Sequence, residues 1–355
     1  MSNADADVTV PGPPGPGPPG PGPPAPGPDG RPGELTTGRV ARVGDIEVRR
    51  LLPLRHRRSV GAWCFVDHYG PMSVDGVAGM QVPPHPHIGL QTVTWLLDGN
   101  VLHRDSLGSE QMIQPGQLNL MTAGRGIAHS EESPHEHDPR LHGVQLWLAL
   151  PEAQRQVAPA FEHHAELPVA GLAGFEITVF AGSLAGAQSP ATVFSPVVGA
   201  QLRAGRGTRG QLGLEPGFEH VLFMVAGTGE AAGTALAPGS LLYLPPGRDQ
   251  LPLAAAADAE LFLLGGAPLD QPVLMWWNFV GTAPEDIIDA ARDWGRGERF
   301  GETRATRGNA CRPPRSTRCG WFPGAGRVKF RSVTAQVGES SQHWVFVPPA
   351  AGRGG

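Results

Sequence analysis

The stretch PPHPHIGLQTVTWLLDG, residues 83–99, places two histidines directly before a strongly alternating strand. Apolar side chains recur at every second position from Val93 to Leu97, which is the period of a β-strand with one buried face. His85 and His87 also stand two residues apart, so on an extended backbone both imidazoles point to the same side. The stretch therefore predicts adjoining strands that carry a pair of histidines into one interior.

A second motif, MTAGRGIAHSE at residues 121–131, repeats this geometry with His129 and Glu131. If the strands face one another in a small barrel, three imidazoles and one carboxylate converge on one point. Such a mixed nitrogen and oxygen set suits one divalent ion of iron, manganese, nickel, copper or zinc. The predicted metal ligands are His85, His87, His129 and Glu131. An octahedral ion held by these four would keep two positions open for oxygen or an oxygen-bearing substrate.

Short runs with the same period continue on both sides of these motifs, and Gly or Pro brackets most of them. In one of these runs Val144, Leu146 and Leu148 share a face. Further runs stand at 175–180, 220–225, 240–244 and 260–264. Many short strands separated by regular turns are typical of a sandwich or a barrel, so the sequence predicts an all-β fold.

One helix is predicted near the end of this β-rich region, from the run Thr282-Ala-Pro-Glu285. A threonine cap, an early proline and a glutamate at the third helical position form a capping box. The apolar residues that follow at helical spacing are Ile287, Ile288, Ala291 and Trp294. We expect a short helix that runs to about Trp294 and stops at Gly295.

Glycine and proline are concentrated at the start of the chain. Of the 50 Gly and 38 Pro among 355 residues, 8 and 12 fall within residues 11–33, where they repeat every five residues. A collagen triple helix needs glycine at every third position, so a disordered or polyproline-II-like leader over 1–33 is predicted instead. The rest divides into an N-terminal domain at 34–168, a C-terminal domain at 169–303 and an Arg-rich, disordered tail at 304–355.

The charge balance argues against a nucleic-acid-binding protein. The net charge is −5, and residues 34–303 carry 18 basic and 29 acidic side chains, whereas the tail has a balance of +8. An acidic body repels nucleic acid, and only the tail could attract it. No run approaches the ~20 apolar residues of a membrane span, and no signal peptide is recognisable after Met1. A cytoplasmic protein without membrane contact is therefore expected.

Three cysteines are present: Cys64, Cys311 and Cys319. An odd and sparse set argues against a disulfide scaffold, and it lacks the four ligands of a structural zinc site. Cys64 is expected to be a small buried hydrophobic residue.

The two histidine motifs, together with HRDSLG at 103–108, resemble the pirin family of bicupins. Shorter segments of the same resemblance are VRRLLP at 48–53, FVDHYGP at 65–71, LHGVQLW at 141–147 and FEHH at 161–164. The resemblance covers roughly residues 38–303. It implies two tandem cupin barrels, each a double-stranded β-helix or jelly roll, with one metal ion, usually iron, in the N-terminal barrel. The ligands that it implies are the same four: His85, His87, His129 and Glu131.

The resemblance leaves two functions open. Some pirins open a flavonol ring with molecular oxygen as quercetin 2,3-dioxygenases, and others act through protein partners as redox-dependent regulators. The chain is therefore expected to be an iron(II) oxidoreductase that acts on a flavonol or small aromatic substrate with O2, or alternatively a non-catalytic, metal-binding regulator of a protein partner. A cupin without any metal is a third alternative. By analogy with other cupin dioxygenases, Glu131 would also be the catalytic base that deprotonates the substrate hydroxyl.

Other polar residues of these motifs have structural alternatives. His103 and Arg104 either line the pocket or form a salt-bridged loop with Asp105. Gln91 stands where many cupins carry a motif glutamate, and a neutral amide cannot supply that charge. Arg125 is placed at the mouth of the cavity.

The second barrel carries EPGFEH at 215–220, without a His-x-His pair or a later His-x-Glu pair. It is therefore predicted to be structural and to cover the first barrel. The remaining histidines are assigned to solvent or structure: His135 and His137 to a polar loop, His142 to a backbone contact, and His163 and His164 to structural positions.

Overall fold

The computed structural model describes residues 33–43, 46–271 and 273–303, together with the backbone of two strands within 329–347. Apart from Gly33, the predicted leader lies outside the described residues, as does the predicted tail apart from those two strands. Cys311 and Cys319 lie outside them as well. The disorder of both ends stays a prediction.

Within the described residues, twelve strands precede residue 165. In chain order they are β1 (Glu34–Thr37), β2 (Arg39–Val43), β3 (Ile46–Leu52), β4 (Trp63–Ser73), β5 (Gln81–His87), β6 (Leu90–Asp98), β7 (Val101–Asp105), β8 (Glu110–Ile113), β9 (Leu118–Thr122), β10 (Ile127–Glu132), β11 (Arg140–Ala149) and β12 (Ala160–His164). A 3-10 turn follows at Glu152–Gln154, within the connection between β11 and β12.

After residue 165, the part of the chain that the structure describes forms further strands and one α-helix. The strands are β13 (Val169–Leu172), β14 (Phe175–Ala181), β15 (Ser183–Leu184), β16 (Ala187–Gln188), β17 (Val197–Ala204), β18 (Arg209–Gly213), β19 (Glu219–Ala226), β20 (Gly229–Ala231), β21 (Thr234–Leu236), β22 (Ser240–Leu244), β23 (Gln250–Ala255), β24 (Ala259–Gly266), β25 (Leu274–Trp276), β26 (Phe279–Gly281), β27 (Lys329–Val333) and β28 (His343–Val347). The helix is α1 (Pro284–Arg296).

Each barrel consists of one seven-stranded and one four-stranded antiparallel sheet. The N-terminal barrel has the orders β12-β9-β6-β11-β4-β3-β2 and β5-β10-β7-β8. The C-terminal barrel has β1-β22-β19-β24-β17-β14-β13 and β18-β23-β20-β21. The predicted all-β fold of two tandem barrels is thereby confirmed. The strand that follows the leader, β1, pairs with β22 and so completes a sheet of the second barrel.

The two seven-stranded sheets pack on one another through a shared apolar core. The alternating faces that contain Val93 and Trp95 in β6 and Leu146 in β11 lie in this core, opposite aromatic residues of the second barrel such as Phe223. Trp95 also donates its Nε1–H to Gln201 Oε1 at 3.0 Å across the interface. The period-2 faces thus point away from the interior of the first barrel and hold the two barrels together.

The interior of the second barrel is filled by apolar side chains, among them Ile177, Leu202 and Leu222. The burial of each such side chain stabilises the folded state by roughly 1.5–3 kcal/mol. Because these side chains fill the interior, little room is left for a polar site. In the described part of the chain, close groups of three metal-ligating side chains occur in the first barrel and not in this one.

The helix differs from its prediction at both ends. It begins after Ala283, and Asp286 rather than Glu285 is the capping acid, because Asp286 Oδ2 accepts the backbone N–H groups of Thr282 and Ala283 at 3.0 and 3.1 Å. It continues through Gly295 to Arg296 and ends where Gly297 adopts a left-handed φ of 70°. The prediction of a Thr282 cap and of an end at Gly295 was wrong.

One face of α1 packs behind the first histidine motif. Ile287 and Ala290 are buried in a cluster with Ile88, Phe279 and Phe300. Because Ile88 directly follows His87, the helix supports the end of β5 from outside the barrel.

Candidate metal centre

The two histidine motifs lie on neighbouring strands of the four-stranded sheet. Strand β10 pairs antiparallel with β5, and His129 stands directly opposite His85. After His87 the chain turns sharply at Gly89, whose φ is 67° and where a Cβ would collide with the carbonyl of Val280. Only glycine adopts this conformation without strain, so the sequence HIGL sets the direction of β5 relative to β6.

Three imidazoles converge inside the barrel. The ring centroids lie 4.3 Å apart for His85 and His129, and 4.9 Å apart for His87 and either neighbour. Their candidate ligand nitrogens all lie within 4.8 Å of one another, and all three side chains are buried. Strand alternation predicted that His85 and His87 share a face, and His129 was expected beside them if the two strands face one another.

Hydrogen bonds orient these rings towards a common centre. His85 Nδ1 lies 2.9 Å from the carbonyl oxygen of Pro83, and His87 Nδ1 lies 3.0 Å from that of Asn278. A protonated Nδ1 that donates to a carbonyl leaves the Nε2 lone pair free for a metal. His129 Nε2 is buried and has no hydrogen-bond partner among the described residues. The donor set therefore fits a metal ion.

Burial keeps the three imidazoles neutral. It lowers the pKa of His85 to about 4 and holds the pKa values of His87 and His129 well below the ordinary range, with the neighbouring imidazoles adding to the effect. A neutral histidine binds a metal without first losing a proton. At neutral pH the group is thus ready to bind a cation.

Glu131 belongs to a second close group of side chains, which shares His129 with the first group. A bulge interrupts β10 between His129 and Glu131, and the carboxylate forms a close group with His129 and His103. Glu131 Oε1 accepts a hydrogen bond of 2.5 Å from Thr94 Oγ1. Burial raises the pKa of the carboxyl, while the neighbouring His103 and the hydrogen bond from Thr94 oppose the rise. The four predicted ligands are therefore not all mutually close.

Of the two roles that the sequence left open, His103 has the contact with Asp105; it is buried and is not among the residues that line the cavity next to the imidazoles. Its Nδ1 lies 3.5 Å from His129 Nδ1, and its Nε2 lies 3.3 Å from Asp105 Oδ2. Its ring stacks on Phe161 at a centroid distance of 4.4 Å. His103 thus positions His129 and is itself held by a carboxylate. Arg104 instead contacts Glu110 at 3.1 Å, on the outside of the sheet.

Two other candidates lie away from the centre. Gln91 donates to Thr122 Oγ1 and to the carbonyl of Thr192, both at 2.9 Å, and so serves the packing between barrels. Arg125 is exposed and does not line the cavity next to the imidazoles, contrary to its predicted place.

The remaining histidines have ordinary partners. His142 Nε2 contacts His68 Nε2 at 2.8 Å, so the predicted backbone contact is replaced by a side-chain contact. His163 bonds Asn119, His164 bonds Glu162, and His137 bonds the carbonyls of Asp138 and Val77; His135 and Glu136 are exposed. Cys64 is buried, as expected, and burial raises its pKa to about 12.

A cavity of about 800 Å³ opens in front of the imidazoles. Its aromatic lining residues are Phe65, Tyr69, Trp147, Trp276 and Trp277. Trp276 and Trp277 belong to a segment that follows the second barrel and returns to the first. In the same segment, the carbonyl oxygen of Asn278 contacts His87. Sequence reasoning missed this segment. The adjacent tryptophans in MWWNF, residues 275–279, were the signal that could have revealed it.

No helix in the described part of the chain is long and apolar enough to cross a membrane.

Comparison with known proteins identifies related sequences over both barrels. The family model described as Pirin matches residues 45–148, and the one described as Pirin C-terminal cupin domain matches residues 199–301. A Pseudomonas aeruginosa protein named "Putative quercetin 2,3-dioxygenase" is 49% identical over 275 residues, which cover 77% of this chain and 87% of that protein. A "Pirin-like protein" of Caulobacter vibrioides is 37% identical over 262 residues, covering 72% of this chain and 90% of that protein.

Solved structures agree with these relatives. The crystal structure of a quercetin 2,3-dioxygenase from Acinetobacter baumannii aligns with a TM-score of 0.78 at 38% identity, covering 83% of this chain and 97% of that chain.

Proposed function

The chain belongs to the pirin family, and we propose from this premise that it is a metal-dependent dioxygenase of the quercetin 2,3-dioxygenase type. Its substrates would be O2 and a flavonol or another small aromatic molecule. The observation that carries the proposal is the group of three buried, neutral imidazoles that faces a cavity of about 800 Å³. That volume lies within the range of pockets that take drug-sized ligands, about 300–1,000 Å³.

The proposed metal ligands are His85, His87, His129 and Glu131, and the proposed ion is iron(II). The unpartnered His129 Nε2 supports this assignment, because a buried polar nitrogen without a partner costs about 1–3 kcal/mol unless a ligand satisfies it. A bound first-row ion with open positions would supply the Lewis acidity and the oxygen chemistry of the reaction.

The chain's own groups would bind and deprotonate the substrate. Glu131 has one oxygen held by Thr94, and burial raises its pKa, which suits a group that accepts a proton from a substrate hydroxyl. Trp147 lies with its ring 5.0 Å from that of His87 and offers an apolar wall beside the imidazoles. Trp276 and Trp277 line the same cavity and would limit the access of water.

The test is metal analysis coupled to oxygen uptake. Protein purified without oxygen should contain about one iron per chain and consume O2 with at least one member of a flavonol panel. His85→Ala should lose both metal and uptake. The matched control His220→Ala, which removes a buried histidine of the second barrel, should keep both.

Two outcomes would overturn the proposal. A full complement of metal without oxygen uptake on any panel member would favour a regulator that acts through a protein partner. Absence of metal, with a melting temperature that chelation leaves unchanged, would favour a cupin that has lost its metal.

A further inference from the structure

The cavity in front of the imidazoles is rich in arginine although the two barrels as a whole are acidic. Its lining includes Arg39, Arg42, Arg50 and Arg58. Among the described lining residues, the carboxylates are Asp67 and Glu131. Arg50 donates two hydrogen bonds to Asp67, at 2.8 and 2.6 Å, and so neutralises one of them. Apart from this pair, Arg58 is the half-buried arginine of the lining.

Arg58 carries the least compensated part of the arginine charge. It is half-buried, and no carboxylate within 33–43, 46–271 or 273–303 forms a hydrogen bond or ion pair with it. Burial lowers its pKa, and no neighbouring acid opposes the effect. A guanidinium that is removed from water without a counter-charge is stabilised when an anion binds beside it.

An aromatic wall connects this region with the candidate metal centre. Phe65 and Trp147 stack with centroids 4.1 Å apart and planes inclined by 14°. The Arg50 guanidinium lies 4.5 Å from the centroid of Phe65, and the Trp147 ring touches His87 at its other end. A flat ring lying along this wall would have the imidazoles at one end and Arg50 at the other, in the same cavity that Arg58 lines.

We propose that the cavity selects aromatic ligands that carry an ionised carboxylate, and that Arg58 binds this carboxylate. The inference rests on the proposed function, because it narrows the substrate class of the same site. Guanidinium and carboxylate form paired, charge-assisted hydrogen bonds that are about twice as strong as neutral ones. An uncharged flavonol would then use the metal and the aromatic wall but leave Arg58 without a partner.

The test compares two probes that differ in this charge and in one methyl group. The probes are 6-hydroxy-2-naphthoate and its methyl ester, in which the hydroxyl and the carboxyl group stand at opposite ends of the ring and cannot chelate the zinc together. Their dissociation constants are measured by calorimetry on zinc-loaded protein, so that no turnover occurs. The acid should bind about tenfold or more tightly than the ester, because a charged hydrogen-bonded contact contributes ~1.5–3 kcal/mol and 1.4 kcal/mol is tenfold. Arg58→Gln should abolish the preference and leave the affinity for the ester unchanged.

The matched control is Arg209→Gln, at an exposed arginine on β18 of the second barrel. It should keep the full preference for the acid. If Arg58→Gln does not fold, the salt dependence of the wild-type protein provides the second measurement. The preference for the acid should then shrink between 20 mM and 500 mM salt, while binding of the ester stays constant.

Equal affinities of the wild-type protein for acid and ester, or a preference that survives in Arg58→Gln, would overturn this inference. A failure of the proposed function gives a different result. In that case the iron-loaded protein consumes no O2 with any aromatic substrate, whereas the preference of the zinc-loaded protein for the acid persists.

Discussion

Glu131 is the residue on which the proposed chemistry depends most directly. Glutamine has the same shape and one of the same oxygens, but it cannot accept a proton from a substrate hydroxyl. Glu131→Gln should therefore reduce flavonol-dependent oxygen uptake by about 100-fold or more. The measurement is the initial rate of oxygen consumption per bound metal, which separates a loss of rate from a loss of metal.

Glu132→Gln is the control for this variant. Glu132 is the next residue on β10 and lies on the opposite face, where its Oε2 is 3.4 Å from Arg104. It should retain oxygen uptake. Full turnover per metal in Glu131→Gln would exclude the role of Glu131 as a base.

Asp105 supports the centre through His103. Its Oδ2 contacts His103, and its Oδ1 accepts the backbone N–H groups of Leu107 and Ser109 at 2.8 and 3.0 Å. Asparagine can keep the backbone contacts through its oxygen but not the charge next to His103. Asp105→Asn should lower the metal affinity by about 10–100-fold with little change in melting temperature. Competition with a chelator measures this affinity.

The exposed Asp138→Asn is the matched control and should bind metal normally. An unchanged affinity in Asp105→Asn would show that the pair of His103 and Asp105 has no part in metal binding.

For single residues, the sequence predicts the direction of a side chain wherever the alternation of a strand is strict. The two-residue spacing of His85 and His87 predicts that both rings point to one side of the strand, and both lie next to the ring of His129. It could not predict the bulge after His129, because a bulge depends on how the partner strands pair. As a result, the close contact of Glu131 with His103 became visible only in three dimensions.

Among the elements, α1 allows a test with a matched neighbour. Asp286 caps the first turn, whereas Glu285 is exposed at the preceding position. Asp286→Ala leaves two backbone N–H groups without this acceptor and should cost about 1 kcal/mol, or roughly 2–4 °C in melting temperature. Glu285→Ala should change the melting temperature by less than half of that. Equal effects would contradict the assignment of Asp286 as the cap.

The helix also shows why element ends are difficult to predict. The sequence pattern correctly indicates a helix with an early proline. However, either Thr282 or Ala283 could be the N-cap residue, and either Glu285 or Asp286 could be the acid that accepts the N–H groups of the first turn. The choice depends on where the chain leaves β26, which is a tertiary constraint. Gly295 does not end the helix, because a glycine in the last turn costs only about 1 kcal/mol relative to alanine.

In the whole molecule, the contacts that the sequence could not predict are those between distant segments. Strand β1 joins the second barrel from the start of the chain, and Asn278 reaches His87 over 191 residues. No local pattern encodes such pairings. The apolar faces of β6 and β11 were recognisable, yet only their packing on the second barrel shows that they form the core between the barrels.

Acid sensitivity is also a property of the whole molecule, since buried neutral histidines lie in both barrels. Outside the candidate metal centre, burial lowers the pKa of His68 and of His220 to about 4. In the unfolded chain both would titrate near 6.5. As the pH falls from 6.5 towards 4, the two histidines bind protons in the unfolded state but stay neutral in the folded state. The free energy of unfolding therefore decreases. Above pH 6.5 neither histidine contributes to this dependence.

His220→Gln removes one of these groups and should flatten the pH dependence of stability. Each group accounts for about 1.4 kcal/mol per pH unit, so between pH 7 and pH 5 the wild-type protein should lose about 2 kcal/mol more than the variant. Denaturant titrations of the metal-free protein at both pH values measure this difference. His135→Gln, at an exposed position, should keep the wild-type slope. If His220→Gln and the wild-type protein lost the same stability between pH 7 and pH 5, His220 would already be protonated in the folded barrel, and its burial would not exclude the charge.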